Sequence, residues 1–126
     1  MNSIGVNAED TFHNSKLDWS EREQEPHATL LRLHRELIAM RRAWPELTDP
    51  WLDDVEVAVD DETRTVVVHR GRLRVVCNLA DTPASVPVGP IARILLASEP
   101  VESSGGEVKL PPESFAILLA RSTPAP

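Results

Sequence analysis

The 126-residue chain carries 13 basic and 20 acidic side chains, a net charge of −7, and the acids are spread over both halves. No cationic surplus draws it to phosphate, which argues against nucleic acid and anionic membrane as partners. The length suits one domain, and a single cysteine, Cys77, excludes an internal disulfide and the zinc patterns built on paired cysteines and fits a reducing cytoplasm. With 11 prolines, 2 phenylalanines and no tyrosine, the core must be aliphatic.

Residues 1–25 show no sustained period and read as a poorly ordered lead-in. Ser20 and Glu23 have the spacing of a capping box, and Pro26 suits the first position of a helix, where its missing N–H is not needed. From Pro26 to Ala43 one amphipathic helix is expected. Leu30, Leu33, Leu37 and Met40 recur at three- and four-residue steps, Leu31 and Ile38 widen the stripe, and arginines occupy the opposite side. Pro45 disfavours helix at Trp44, so the helix stops there. Residues 26–50 are therefore a helix with its linker.

Beyond Pro50 the period changes to two. Val55, Val57 and Val59 alternate with polar or small residues, Asp60-Asp61-Glu62-Thr63 makes a turn, and Thr65–Arg70 returns as a second strand. Arg70-Gly71-Arg72 turns tightly into Leu73–Leu79. Further strands are expected at 85–88, 91–97, 107–110 and 114–120, with Ser103-Ser104-Gly105-Gly106 as the turn before the last pair. No helix-length segment separates them. The fold class is mainly β: an antiparallel β-sandwich of six or seven strands over residues 51–122, preceded by one amphipathic helix and followed by a tail, 123–126.

The search for chemistry returns little. No serine sits in a nucleophile elbow. His13, His27, His34 and His69 lack metal-ligand spacing, with His27 and His34 seven residues apart. Asp53-Asp54 and Asp60-Asp61-Glu62 fall at strand entries and turns, where carboxylates are solvated. Cys77 reads as a small buried hydrophobe in a strand. Trp19, Trp44 and Trp51 all precede the strands and read as fillers of a junction between packed elements, with a sugar-stacking platform as the alternative. Arg70, Arg72 and Arg74 read as a solvated strand edge. No catalytic, cofactor-binding or metal-ligating residue is assigned, and no cofactor is expected.

Three phrases carry a family resemblance. Ser15-Lys16-Leu17-Asp18-Trp19-Ser20-Glu21, the run His34-Arg35-Glu36-Leu37-Ile38-Ala39-Met40-Arg41-Arg42, and Trp44-Pro45-Glu46-Leu47 resemble the last barrel helix and its approach in α-amylase-family glycosidases. The first phrase is similar to the trehalose-releasing, malto-oligosyltrehalose trehalohydrolase branch. Val75-Val76-Cys77-Asn78-Leu79-Ala80 and Leu110-Pro111-Pro112-Glu113-Ser114-Phe115-Ala116 resemble the β-domain that follows the barrel. The resemblance implies an Asp nucleophile, a Glu acid/base and a stabilising Asp on earlier barrel strands, and none of the three maps onto this sequence.

The resemblance thus implies a C-terminal structural domain, not catalytic alone, whose partner is the catalytic barrel of a parent glycosidase. Leu30, Leu33, Leu37 and Met40 are the candidate docking stripe, with self-association through the helix as a second use. Asp18 and Trp19 are candidates for a substrate-channel or domain-junction role, because loops on the C-terminal face of such barrels build the site. The alternative reading is a stand-alone carbohydrate-binding or protein-interaction β-sandwich.

Overall fold

The computed structural model describes residues 8–122, which fall into two compact units divided between His34 and Arg35. In the first unit, α1 (Ala8–Ser15) carries Glu9 and Asp10 in its first turn and His13 in its last, signs that complement the helix dipole. Two turns are too few to show a period, which is why this helix is invisible in a lead-in that reads as irregular. A 3₁₀ turn, Trp19–Glu23, follows. Residues 1–7 and the expected tail, 123–126, lie outside the described residues.

Helix α2 (His27–Ala43) begins one residue after Pro26 and ends where expected. Trp44, ahead of Pro45, takes φ −111° and ψ 109°, the extended backbone that a following proline imposes.

The second unit contains the strands β1 (Val55–Asp60), β2 (Thr65–Arg70), β3 (Leu73–Asn78), β4 (Ala84–Pro87), β5 (Ile91–Ala97), β6 (Glu102–Ser104), β7 (Glu107–Leu110) and β8 (Ser114–Ala120). They form a five-stranded antiparallel sheet ordered β1-β2-β3-β8-β5 and a three-stranded one ordered β4-β7-β6. The additional strand is β6, which takes Ser103 and Ser104 out of the expected turn and leaves Gly105-Gly106 as the two-residue loop. Both glycines have positive φ, 59° and 81°, as a type I′ hairpin requires.

Register defines the two sides of the large sheet. Val67 faces Val76, Val76 faces Ala116 and Ala116 faces Ala97, so these four share one side. Val67, Val76, Ala116 and Leu118 from that side pack with Val86, Val88, Val108 and Leu110 in one buried cluster, which is the core between the sheets. Asn78 lies beside it at 1% exposure. Its Nδ2 donates to the carbonyls of Thr82, Leu110 and Pro111 at 2.9, 3.3 and 3.0 Å, and its Oδ1 accepts from the Ala80 N–H at 3.0 Å. One buried amide thereby ties β3 to the loop entering β4 and to the connection that carries the chain from β7 back to β8.

The segment between α2 and β1 is clamped to the β2–β3 loop. The Arg72 guanidinium donates to Glu46 through Nε at 2.6 Å and Nη2 at 3.2 Å, and lies 5.1 Å from the centre of the Trp44 ring. Arg70 Nη2 donates to the Asp49 carbonyl at 2.7 Å. A Cβ at Gly71, where φ is 56°, would meet Glu46 Cγ at 2.8 Å, so only glycine fits under this contact. Arg70 and Arg72 are therefore not merely a solvated edge. Arg74 Nη1 turns back onto the carbonyls of Gly71 and Leu73.

Asn78→Ala strands a buried N–H and three carbonyls, and should lower unfolding free energy by about 3 kcal/mol in urea titration, near the upper end for an unsatisfied buried group. An unchanged midpoint would remove Asn78 from the role of tie. Arg72 also holds the Glu46 carboxyl below its usual range through their hydrogen bonds. A depressed carboxyl contributes stability above its unfolded pKa of about 4.3 and loses it as pH falls through the lower folded value. Arg72→Ala should accordingly flatten the acid limb of a stability–pH curve, modestly because Arg72 is 64% exposed; an acid limb identical to the parent's would show that the pair contributes nothing.

Candidate functional surfaces

In the first unit, Asp18 caps the 3₁₀ turn. Its Oδ1 accepts from the Ser20 hydroxyl at 2.6 Å and the Ser20 N–H at 3.0 Å, and these bonds hold its carboxyl below the usual range. Trp19 beside it is 70% exposed. The carboxylate is thus committed to its own turn, and the adjacent indole presents a free apolar face.

Along α2 no residue is buried. Leu30 is 50% exposed and Ile38 52%, while Leu33, Leu37 and Met40 are half-buried.

Within the second unit a cleft of about 480 Å³ is lined by Asp49, Trp51, Asp53, Glu56, His69 and Arg74, among others. Trp51 is 69% exposed, whereas Trp44 is half-buried and lies against the Arg72 guanidinium. The turn acids serve as local caps: Asp60 Oδ1 accepts from the N–H groups of Glu62 and Thr63 at 3.0 and 3.3 Å, which lowers its pKa. Among the described residues no group of three or more His, Cys, Asp or Glu side chains is arranged to hold a metal ion. No described helix is long and apolar enough to cross a membrane.

One further feature was not singled out from sequence. On the side of the large sheet away from the core, Val57 pairs with Val68, Val68 with Val75, and Val75 with Ile117; in the next row Val59 pairs with Val66, Val66 with Cys77, and Cys77 with Phe115. This outer side is apolar throughout these two rows. Val57 and Val59 are 58% and 62% exposed, and Val66, Val68, Val75, Cys77 and Phe115 are half-buried. Partial burial pushes the Cys77 thiol up. The alternation of β1 is real, but its valines point away from the inter-sheet core. The available signal was the unbroken apolar runs Val66-Val67-Val68 and Phe115-Ala116-Ile117-Leu118-Leu119, since strands covered on both faces lose the alternation of half-exposed ones.

A domain family described as "Domain of unknown function (DUF3459)" matches residues 50–117. A malto-oligosyltrehalose trehalohydrolase of Rhizobium sp. (strain M-11) is 42% identical over 109 residues, which are 86% of this chain and 18% of that protein. One from Mycobacterium tuberculosis is 41% identical over 110 residues, 87% of this chain and 19% of the relative. The chain thus spans less than a fifth of the length of these relatives. Among solved structures, an α-amylase from H. orenii superimposes with a TM-score of 0.58 at 20% identity, covering 80% of this chain and 22% of that one. A mutant of the trehalulose synthase MutB gives 0.53 at 21% identity, over 68% and 17% of the two chains. The chain belongs to the DUF3459 family, a C-terminal domain of α-amylase-family enzymes.

Proposed function

We propose that this chain is the non-catalytic C-terminal domain of a trehalose-releasing glycosidase, and that it acts by stabilising the catalytic barrel of that enzyme in cis. The observation that carries the reading is its identity of about two residues in five with a segment making up under a fifth of malto-oligosyltrehalose trehalohydrolases. In this reading residues 26–50 complete the barrel with its last helix and linker, and 51–122 form the β-domain. The stripe of Leu30, Leu33, Leu37 and Met40 packs into the barrel wall, and Asp18 and Trp19 lie at the junction. The parent reaction cleaves the α-1,4 linkage that joins trehalose to a malto-oligosaccharide, in a cytoplasmic route to trehalose.

Glycoside hydrolysis needs two carboxylates flanking one bond, usually about 5 or 6.5–9.5 Å apart. The acids whose environments are most specific here have other tasks: Asp18 and Asp60 cap turns and Glu46 binds Arg72. The chain alone should release no trehalose from malto-oligosyltrehalose. When it replaces the matching segment of the Rhizobium relative, the full-length chimera should release trehalose at a rate comparable to the relative's own. Release by the chain alone, or an inactive and unfolded chimera, would overturn the reading.

A second reading, oligosaccharide binding by the chain itself, is favoured by the exposed indole of Trp51 on a cleft of carboxylates and guanidinium groups. Calorimetric titration with maltoheptaose separates the two: the structural reading expects no heat of binding, and saturable binding lost in Trp51→Ala would favour the second.

A further inference from the structure

We infer that residues 44–49 form a strap latched to the β2–β3 loop by Arg72, and that the cleft beside Trp51 exists only while this latch is closed. Every residue of the device lies in the second unit, Arg35–Pro126, so it stands independently of the barrel-stabilising role proposed above.

Three observations carry it. First, the strap has little of its own to hold it. Its 3₁₀ turn, Pro45–Leu47, spans three residues, and its backbone bonds run from the Trp44, Leu47 and Thr48 N–H groups to the carbonyls of Met40, Trp44 and Pro45 at 2.9, 3.0 and 3.1 Å. A single turn of this kind is marginal alone. Trp44, Glu46, Leu47 and Asp49 are nevertheless half-buried.

Second, the hold comes from the loop and centres on one side chain. Arg72 meets two strap residues at once, the Glu46 carboxylate through Nε and Nη2 and the Trp44 ring against its guanidinium plane. Arg70 adds the bond to the Asp49 carbonyl. Between the two arginines, the missing Cβ of Gly71 lets the Glu46 stem come down onto the loop.

Third, the strap helps to build the cleft. Glu46 and Asp49 of the strap line it together with Arg70, Gly71 and Arg74. The Trp51 N–H donates to the Asp49 carboxylate at 3.0 Å, which ties the backbone carrying the exposed indole to the strap. None of these residues belongs to the buried cluster between the sheets. With Arg72 64% exposed, its contacts are modest in strength, so the latch opens at a small local cost while the core stays folded.

Native-state hydrogen exchange of the full chain tests the device. In Arg72→Ala the Trp44, Leu47 and Thr48 amides should exchange at least about fivefold faster, as loss of an exposed ion pair together with a cation–π contact implies. The Val76 and Leu118 amides in the core strands should keep the parent's rates. Glu46→Ala, which breaks the latch from the strap side, should give the same local pattern. Arg72→Lys keeps the charge without the planar fork and should recover less than half of the lost protection. The Trp51 indole signal in an NMR spectrum should also move in Arg72→Ala, although Arg72 does not line the cleft. Unchanged strap exchange in both alanine variants, equal acceleration in the core strands, full recovery with lysine, or an unmoved Trp51 signal would each overturn the latch.

Discussion

A sheet that is apolar on both sides needs two covers, and most of this molecule follows from that constraint. One side of the five-stranded sheet is closed by the three-stranded sheet, through Val86, Val88, Val108 and Leu110. The other is closed only in part, over Leu73 and Ile117. A domain built this way has a buried core between its sheets and leaves part of the other side exposed. The hydrophobic effect acts on both, since each exposed valine that becomes covered is worth about 1.5 kcal/mol at most. The helix α2, with no buried residue in 17, shows the same incompleteness in the element that precedes the strands.

The Trp44-Pro45-Glu46-Leu47 phrase is fastened to the β-domain through Arg72. Pro45 ends the helix, Glu46 reaches the β2–β3 loop, and Arg72 binds both Glu46 and the face of Trp44. Planar guanidinium is suited to this double contact, with a carboxylate in its plane and an indole against its face. Gly71 leaves room for the carboxylate stem. Similarly, the two β-domain phrases that resemble α-amylase-family enzymes meet at Asn78, which pairs with Ser114 in register and bonds to the carbonyls of Leu110 and Pro111. Both sets of family residues are positioned by structural tasks.

Much of this was legible in the residues. Hairpins announced themselves through Gly71 and Gly105-Gly106, and α2 through its three- and four-residue steps, because turn chemistry and period are local properties. What was not legible depends on the partner strand. A period of two in β1 says that valines share a side but not which side meets the second sheet. The charge of Arg70 and Arg72 says nothing about Asp49 and Glu46, which lie more than 20 residues earlier. Strand β6 was hidden because Glu102, Ser103 and Ser104 have the composition of a turn and are held only by their pairing with β7. The apolar stripe on α2 was visible early for the opposite reason: its pattern lies within one segment.

The most direct measurement is the accessibility of valine methyl groups to a soluble paramagnetic probe, read by methyl NMR in the isolated chain and in the chimera with the Rhizobium relative. The expected result is strong broadening of Val57, Val59 and Val68 in the isolated chain and protection of the same methyls in the chimera, with Val76 and Val108 protected in both. Equal broadening of Val57 and Val59 in the two settings would contradict the proposal that this domain stabilises a catalytic barrel in cis.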